Sequence, residues 1–372
     1  MIDENIIGNS NESNLLFESY MENRFSDFCQ LIEDGYNINC LNNLGESLIC
    51  VIIENFYSVK DNKKFFDKLM SMNVSLEQIN GGYDPLTTSI IKQDDLYYME
   101  KILNKTSNFN RIGIRNYLGT EEPYGPPIFE AVLTKNINKI NLLSKYDVDF
   151  ECCDPYDLPL LSFLLKKFPP GSKIAEELFL FFLEKGANVN DTDTRGAATI
   201  HYWAKYNGSE KIFDLLLENG ACVNSRDFIG HTPILTTSLT FFKNVKHEII
   251  TTKKLIDNNA NLNTQNYHGN TPAIISIMYG QYERTNLLFN SNCDLSLCND
   301  DGNNVAHYLV YLLLYKTHFK NIDKFSDLLR KIPHLCDVKN YSGNTAWEIF
   351  KKNGKLKYLE FMESGNVKDK GR

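Results

Sequence analysis

The sequence predicts an all-α fold, a linear array of about nine to ten helix-turn-helix units, and three observations predict it. One is self-similarity: RGAATIHYWA, IGHTPILTTS, HGNTPAIISI, DGNNVAHYLV and SGNTAWEIFK align on Gly196, Gly230, Gly269, Gly302 and Gly343, which are 34, 39, 33 and 41 residues apart. That period is the size of one supersecondary unit that buries its apolar face only against a neighbour. The second is a block preceding the starts, in LIEDGYNIN, FLEKGANVN, LLENGACVN and LIDNNANLN, ending at Asn39, Asn190, Asn224 and Asn263. The third is composition: 42% apolar residues in a chain of 372 suffice for a buried core.

The elements follow in order. Weaker copies lie upstream, as LGESLICVII around Gly45, GYDPLTTSII around Gly82, YGPPIFEAVL around Gly125 and DLPLLSFLLK around Pro159. The segment SNFNRIGIRNYLGTEEPYGPP (107–127) fits no clean second helix and reads either as a degenerate repeat or as an inserted loop. Gly186 and Gly220 follow the apolar helical runs LFLFFLEK and KIFDLLLEN, where a residue with positive φ closes a helix at little steric cost. Asp193 with Gly196, and Asp227 with Gly230, fit tight reversals in which the carboxylate accepts from backbone amides. Thr232-Pro233 and Thr271-Pro272 fit helix starts, threonine capping an orphan amide and proline standing where none is needed. Trp203 and Trp347 fall at inward helix positions and read as core.

A period near 33 with G-x-T-P-L-H-like and G-A-x-V-N-like blocks resembles the ankyrin repeat family, over roughly residues 12–365 and most closely over 180–350. The resemblance implies a solenoid whose hairpin loops and first helices line a concave face that binds other proteins. Only 266–298 has the family's usual length, so the extra residues in 236–258 and 307–329 imply longer helices or longer inter-helix loops. The expected organisation is a flexible N-terminus (1–11), divergent repeats with an N-terminal cap (12–160), well-matched repeats (161–340), a C-terminal capping repeat (341–365) whose final helix is LKYLEFMES, and a flexible tail (366–372). Irregular repeats with an Asn-, Lys-, Ile- and Tyr-rich composition are similar to ankyrin proteins that intracellular bacteria deliver into host cells or large DNA viruses encode. That similarity implies a host-targeting effector.

The family's variable positions fall on Thr194, Arg195, Ala197, Lys205 and Tyr206, then on Phe228, Ile229 and His231, and then on Tyr267, His268, Asn270, Met278 and Tyr279. In the last units they are Asp300, Asp301, Asn303, Tyr311, Tyr341, Ser342 and Asn344. Of these positions Arg195, Lys205, Tyr206, Phe228, Ile229, Tyr267, His268, Met278, Tyr279, Tyr311 and Tyr341 are the candidate partner-binding residues, among which the tyrosines, Arg195, Met278 and Phe228 are of types enriched at binding hot spots.

Other functions are excluded on chemical grounds. A net charge of −8 argues against nucleic acid, whose phosphates require clustered cations. Nine cysteines without a C-x2-C pair read as reduced thiols in a cytoplasm, with neither disulfide framework nor metal site. MIDENIIGNS lacks the basic and apolar regions of a signal peptide, and YLVYLLLY (308–315) is far short of the ~20 residues that span a bilayer. No phosphate-binding loop, nucleophile elbow or zinc-protease motif occurs; HEIIT at His247 has threonine where a second ligand belongs. His201 and His307 occupy the T-P-L-H histidine position, where the resemblance implies a ring that ties adjacent loops. No cofactor is expected. The rival reading is an enzyme with a thiol site at Cys152 or Cys153 in the divergent region 80–160, the repeats recognising its substrate.

Overall fold

Helices α1 (Ser10–Met21) and α2 (Phe25–Glu33) form the first antiparallel pair, and pairing recurs along the chain. The computed structural model describes residues 10–77, 82–107, 109–117, 120–206, 209–239, 245–315 and 322–353. The expected final helix LKYLEFMES and both expected flexible termini, apart from Ser10 and Asn11 at the start of α1, lie outside the described residues.

After α1 and α2 come α3 (Leu48–Glu54), α4 (Asn62–Met70), α5 (Pro85–Lys92), α6 (Leu96–Leu103), the strands β1 (Gly113–Tyr117) and β2 (Thr120–Tyr124), α7 (Pro127–Thr134) and α8 (Ile137–Leu143). Then follow α9 (Leu160–Lys167), α10 (Lys173–Glu184), α11 (Thr199–Tyr206), α12 (Glu210–Glu218), α13 (Pro233–Ser238), α14 (Val245–Asp257), α15 (Pro272–Met278), α16 (Tyr282–Phe289), α17 (Val305–Tyr315), α18 (Ile322–Arg330) and α19 (Ala346–Asn353). Among the described residues this gives nineteen helices, the number that nine two-helix units and the first helix of a tenth would supply, as the repeat spacing implied. The chain divides into two units, residues 1–167 with 184–187, and residues 168–183 with 188–372.

In the first unit the leading helices α1, α3, α5, α7 and α9 pack each on the next. Aromatic residues fill the space between layers: Phe65 meets Tyr20, Phe25 and Phe28 edge to face at 4.9–5.2 Å. A polar group inside this core is fully satisfied. The Asn62 amide donates to the Tyr20 hydroxyl and the Ile52 carbonyl, both at 2.7 Å, and accepts from the Tyr98 hydroxyl at 2.6 Å.

The segment that fits no clean helix is an antiparallel hairpin, with Gly113 opposite Tyr124. Tyr124 and Arg111 hold it to the start of α5, the Arg111 guanidinium lying 3.6 Å from Asp84 Oδ1. The Tyr124 hydroxyl donates to Asp84 Oδ2 at 2.9 Å and accepts from the Asp84 amide at 3.1 Å, while Asp84 Oδ1 caps α5 through the Leu86 and Thr87 amides. The Tyr124 ring lies where a side chain at Gly113 would stand, 2.0 Å from the position of a Cβ.

In the second unit α11, α13, α15, α17 and α19 stack in turn, with α14, α16 and α18 behind them. Trp203 is fully buried against Phe213 and donates to the Ser209 carbonyl at 2.9 Å, whereas Trp347 is only half-buried. The extra residues lengthen helices: α14 has 13 residues and α17 has 11, against 8 or fewer in α11, α13, α15 and α16. Pro233 and Pro272 open α13 and α15, and Thr271 caps the Ile274 amide. Thr232 departs from the expected pattern. Its hydroxyl makes no cap bond, so the start of α13 rests on the preset φ of Pro233.

Candidate partner-binding edge

Five hairpin turns in the second unit are built alike. The carboxylate of Asp193 accepts from the Arg195 and Ala197 amides at 2.9 Å, and Asp227, Asn266, Asn299 and Asn340 each accept from the amides two and four residues on. The turn glycines all take φ between 69 and 77°, a conformation that costs other residues about 1–2 kcal/mol. The side chain thus fixes the turn and glycine completes it.

Successive turns are joined by their main chains. The Phe228 amide donates to the Arg195 carbonyl at 2.8 Å, Tyr267 to Ile229 at 3.2 Å, Asp300 to His268 at 3.2 Å, and Tyr341 to Asp301 at 3.1 Å. Every tip therefore has a fixed register with the next. The rings of Phe228, Tyr267 and Tyr341 lie over Gly196, Gly230 and Gly302 of the preceding turns, yet the residues remain 67%, 67% and 80% exposed. Exposed aromatics in regular order, with their main chains locked, form a preorganised surface.

The histidines serve this edge structurally. His201 Nδ1 accepts from the Ala198 amide at 3.2 Å and Nε2 faces the His231 carbonyl of the next turn at 3.1 Å; His307 repeats the arrangement with Asn304 and Asn344. Burial holds both rings below the ordinary imidazole range. Asparagines at the repeat ends add further links: Asn224 bonds Asn259 and Asn261, and Asn263 accepts from Asp294.

Beside the tips, Arg195, Lys205, Tyr202, Ile229 and His231 line a cleft of about 230 Å³. Arg195 and Lys205 are exposed, and Tyr206 is half-buried with its ring stacked on Tyr202 at 6.0 Å. Burial works to raise Asp193, but the Tyr202 hydroxyl at 2.7 Å and the turn amides outweigh it and hold the carboxylate below its usual range. Further along, Met278, Tyr308, Tyr311, Leu312 and Tyr315 line an apolar groove of about 210 Å³. Of the sequence-chosen residues, Phe228, Ile229, Tyr267, His268 and Tyr341 share the tip row, Arg195 and Lys205 the cleft, and Met278 and Tyr311 the groove. Tyr279 lines neither recess. Sequence reasoning passed over Tyr202, Tyr308 and Tyr315, although the spacing of Tyr308, Tyr311 and Tyr315 marks one face of a helix.

Repeats of helix pair and hairpin, tied tip to tip, decide the fold. The fold is that of an ankyrin repeat array. No family model matches the chain. An ankyrin repeat protein of Variola virus is 23% identical over 295 residues, covering 77% of this chain and 47% of the viral protein. A protein of Acanthamoeba polyphaga mimivirus named for ankyrin repeats is 23% identical over 365 residues, covering 89% of this chain and 43% of its own length. The chain thus spans somewhat less than half the length of these curated relatives. Among solved structures, the ankyrin repeat domain of Bcl-3, a member of the IkappaB family, superposes with a TM-score of 0.51 at 13% identity, over 64% of this chain and 97% of that domain. Among the described residues no helix is long and apolar enough to cross a membrane.

The region of the rival thiol reading, 80–160, carries repeat elements. Residues 85–143 form two helix pairs and the hairpin, and the whole of 1–200 contains no histidine to act as base. Burial pushes the Cys152 thiol up to about 12, so it stands as a thiol rather than a nucleophilic thiolate at neutral pH.

Proposed function

We propose that this chain is a non-enzymatic scaffold that grips a partner protein along the tip row and the first-helix residues beside it, with Arg195, Lys205, Tyr206, Phe228, Ile229, Tyr267, His268, Met278, Tyr279, Tyr311 and Tyr341 as contacts. One observation carries the reading. Exposed Phe228, Tyr267 and Tyr341 are held in line by main-chain bonds between turns, so their ordering entropy is lost before a partner arrives. The viral relatives support a finer proposal, that the partner belongs to a host cell and is met in its cytoplasm. The division into divergent repeats (12–160), regular repeats (161–340) and a C-terminal capping repeat (341–365) belongs to the same proposal.

The test is affinity capture from eukaryotic cell lysates, read by mass spectrometry, with the native chain and with the triple variant Phe228→Ala, Tyr267→Ala, Tyr279→Ala. Each anchor contributes on the order of 2 kcal/mol, so recovery of a specific partner should fall more than about tenfold while the helical circular dichroism is unchanged. Equal recovery by a folded triple variant would falsify the reading.

A further inference from the structure

The lengthening of α17 builds an aromatic recess whose chemistry defines what can fill it; the inference rests on the scaffold reading above. In register from the turn glycines Gly269 and Gly302, Met278 at the end of α15 aligns with Tyr311, so α17 runs one turn further and that turn carries Tyr315. Tyr308, Tyr311 and Tyr315 are spaced three and four residues apart and share one face of the helix. The Tyr311 ring stands at 76° to Tyr308 with centroids 6.1 Å apart, and at 28° to Tyr315 with centroids 6.5 Å apart. With Met278 and buried Leu312 they enclose the apolar groove of about 210 Å³. Tyr308 and Tyr311 are half-buried and Tyr315 is 63% exposed, so the rings are open to a partner.

The recess is negative and carries no cation of its own. An aromatic ring attracts a cation over its face within about 6 Å of its centroid, and rings this close allow one cation to lie within that range of two of them. The Asn299 side-chain amide donates to the Tyr308 hydroxyl at 2.9 Å and to Asp301 Oδ2 at 3.5 Å, which sets a carboxylate at the rim. Burial first, and the Asp301 charge among the smaller causes, raise the Tyr308 and Tyr311 phenols above their ordinary value, so both rings stay neutral and Asp301 supplies the charge. Elsewhere in this unit the chain's own lysines cover its rings: Lys205 lies 5.0 Å from Tyr206, Lys254 5.9 Å from Phe213 and Lys324 5.1 Å from Tyr282. Among the described residues no cation lies over Tyr308, Tyr311 or Tyr315, and exposed Asp300 and Asp301 form no ion pair.

The lining then selects among cations. A lysine ammonium brings three N–H donors and a strong hydration shell, whereas Met278 and Leu312 offer no oxygen and the Tyr308 hydroxyl already accepts from Asn299. A trimethylated ammonium keeps the charge and has no N–H to leave unsatisfied. A choline lipid presents the same ammonium next to a phosphate, which Asp300 and Asp301 repel. The lysine side chain carries no such anion.

We propose that the recess of Tyr308, Tyr311 and Tyr315 binds the trimethylated lysine side chain of a protein partner, with its quaternary ammonium over the tyrosine rings and beside the Asp301 carboxylate.

The probe is a fluorescein-labelled peptide, Gly-Ser-Arg-Lys-Ser-Gly with the lysine trimethylated, titrated by fluorescence anisotropy against the full chain. The unmethylated peptide should bind about tenfold more weakly, and so should a peptide in which carbon replaces the quaternary nitrogen, keeping shape and losing charge. Tyr315→Leu, at the exposed ring, should weaken binding about fivefold, while Tyr315→Phe should stay within about twofold, which separates loss of a ring face from a defect of folding. Asp301→Asn should cost about threefold, the loss expected of one exposed charge. Equal binding of the neutral isostere would make the groove a purely apolar dock and overturns the proposal. Equal or tighter binding of the unmethylated peptide overturns it too, as do phosphatidylcholine vesicles that displace the probe more effectively than free trimethyl-lysine. If the probe fails to bind at 1 mM while the triple alanine variant of the tips loses its captured partner, the recess inference falls and the scaffold reading stands. If the triple variant keeps its partner, the tip-row reading falls whatever the probe does.

Discussion

Substituting alanine at Gly269 tests whether the ladder between turns is rigid, because the structure separates two costs there. The φ of +69° charges any other residue about 1–2 kcal/mol. A Cβ at Gly269 would in addition stand 2.8 Å from the Asn299 Cα and the Asp300 amide nitrogen, both main-chain atoms that no rotamer change can remove. To admit it, the turns must part, and the Asp300–His268 hydrogen bond goes with about 0.5–1.5 kcal/mol. Gly220 is the control. Its φ is +81°, it lies inside the same unit, and a Cβ there meets nothing within 4 Å. Gly220→Ala should therefore cost about 1–2 kcal/mol and Gly269→Ala about 1.5–3.5 kcal/mol. Urea denaturation followed by far-ultraviolet circular dichroism measures both, the slope serving to check that cooperativity is preserved. Equal losses would mean that neighbouring turns yield freely, and the claim of a preorganised row would be refuted.

Acidification provides a second measurement. The folded-state pKa values of His201, His231 and His307 are lowered, burial being the largest cause in each, so their stabilising contribution is present above the ordinary value of 6.5 and is lost as pH falls below it through the folded values. The urea midpoint should drop between pH 7.5 and 5, and by less in the double variant His201→Gln, His307→Gln; a midpoint that rises on acidification contradicts the sign. Tyr124→Phe removes both bonds to the buried Asp84 carboxyl and amide and should destabilise the first unit by about 1–3 kcal/mol, read as faster hydrogen exchange in β1 and β2. Thiol labelling should modify exposed Cys222 at once and leave Cys50, whose thiol burial pushes up to about 12, untouched until the chain unfolds; early labelling of Cys50 would show an open first unit.

Residues whose job is local were legible in the sequence. Asp193 and Asp227 could be assigned to turns because a short acceptor followed three residues later by glycine has one economical geometry. Asn259 shows the limit of reading by residue type, since it takes φ +64° where the other blocks use glycine. Residues whose job is set by distant neighbours were not legible. Arg284 looks like a solvent-facing helix residue, yet it is fully buried, bonding Thr252 at 3.1 Å and the Gln281 side chain. Lys139 is likewise buried and donates to the Ile90 carbonyl at 2.6 Å. The hairpin escaped for a different reason: its strands carry Gly113 and Pro123, which argue against strand in isolation.

The same distinction explains how the candidate edge could be located without its chemistry being read. Family register placed Phe228, Tyr267 and Tyr341 at three of the tips, and that register survives because each turn is closed by its own side chain. What the tips present depends on bonds between turns. Only the ladder from Arg195 to Tyr341 turns five separate loops into one surface of fixed pitch. On the proposed scaffold reading, specificity would therefore reside as much in the main-chain bonds that hold the tips in order as in the exposed side chains themselves.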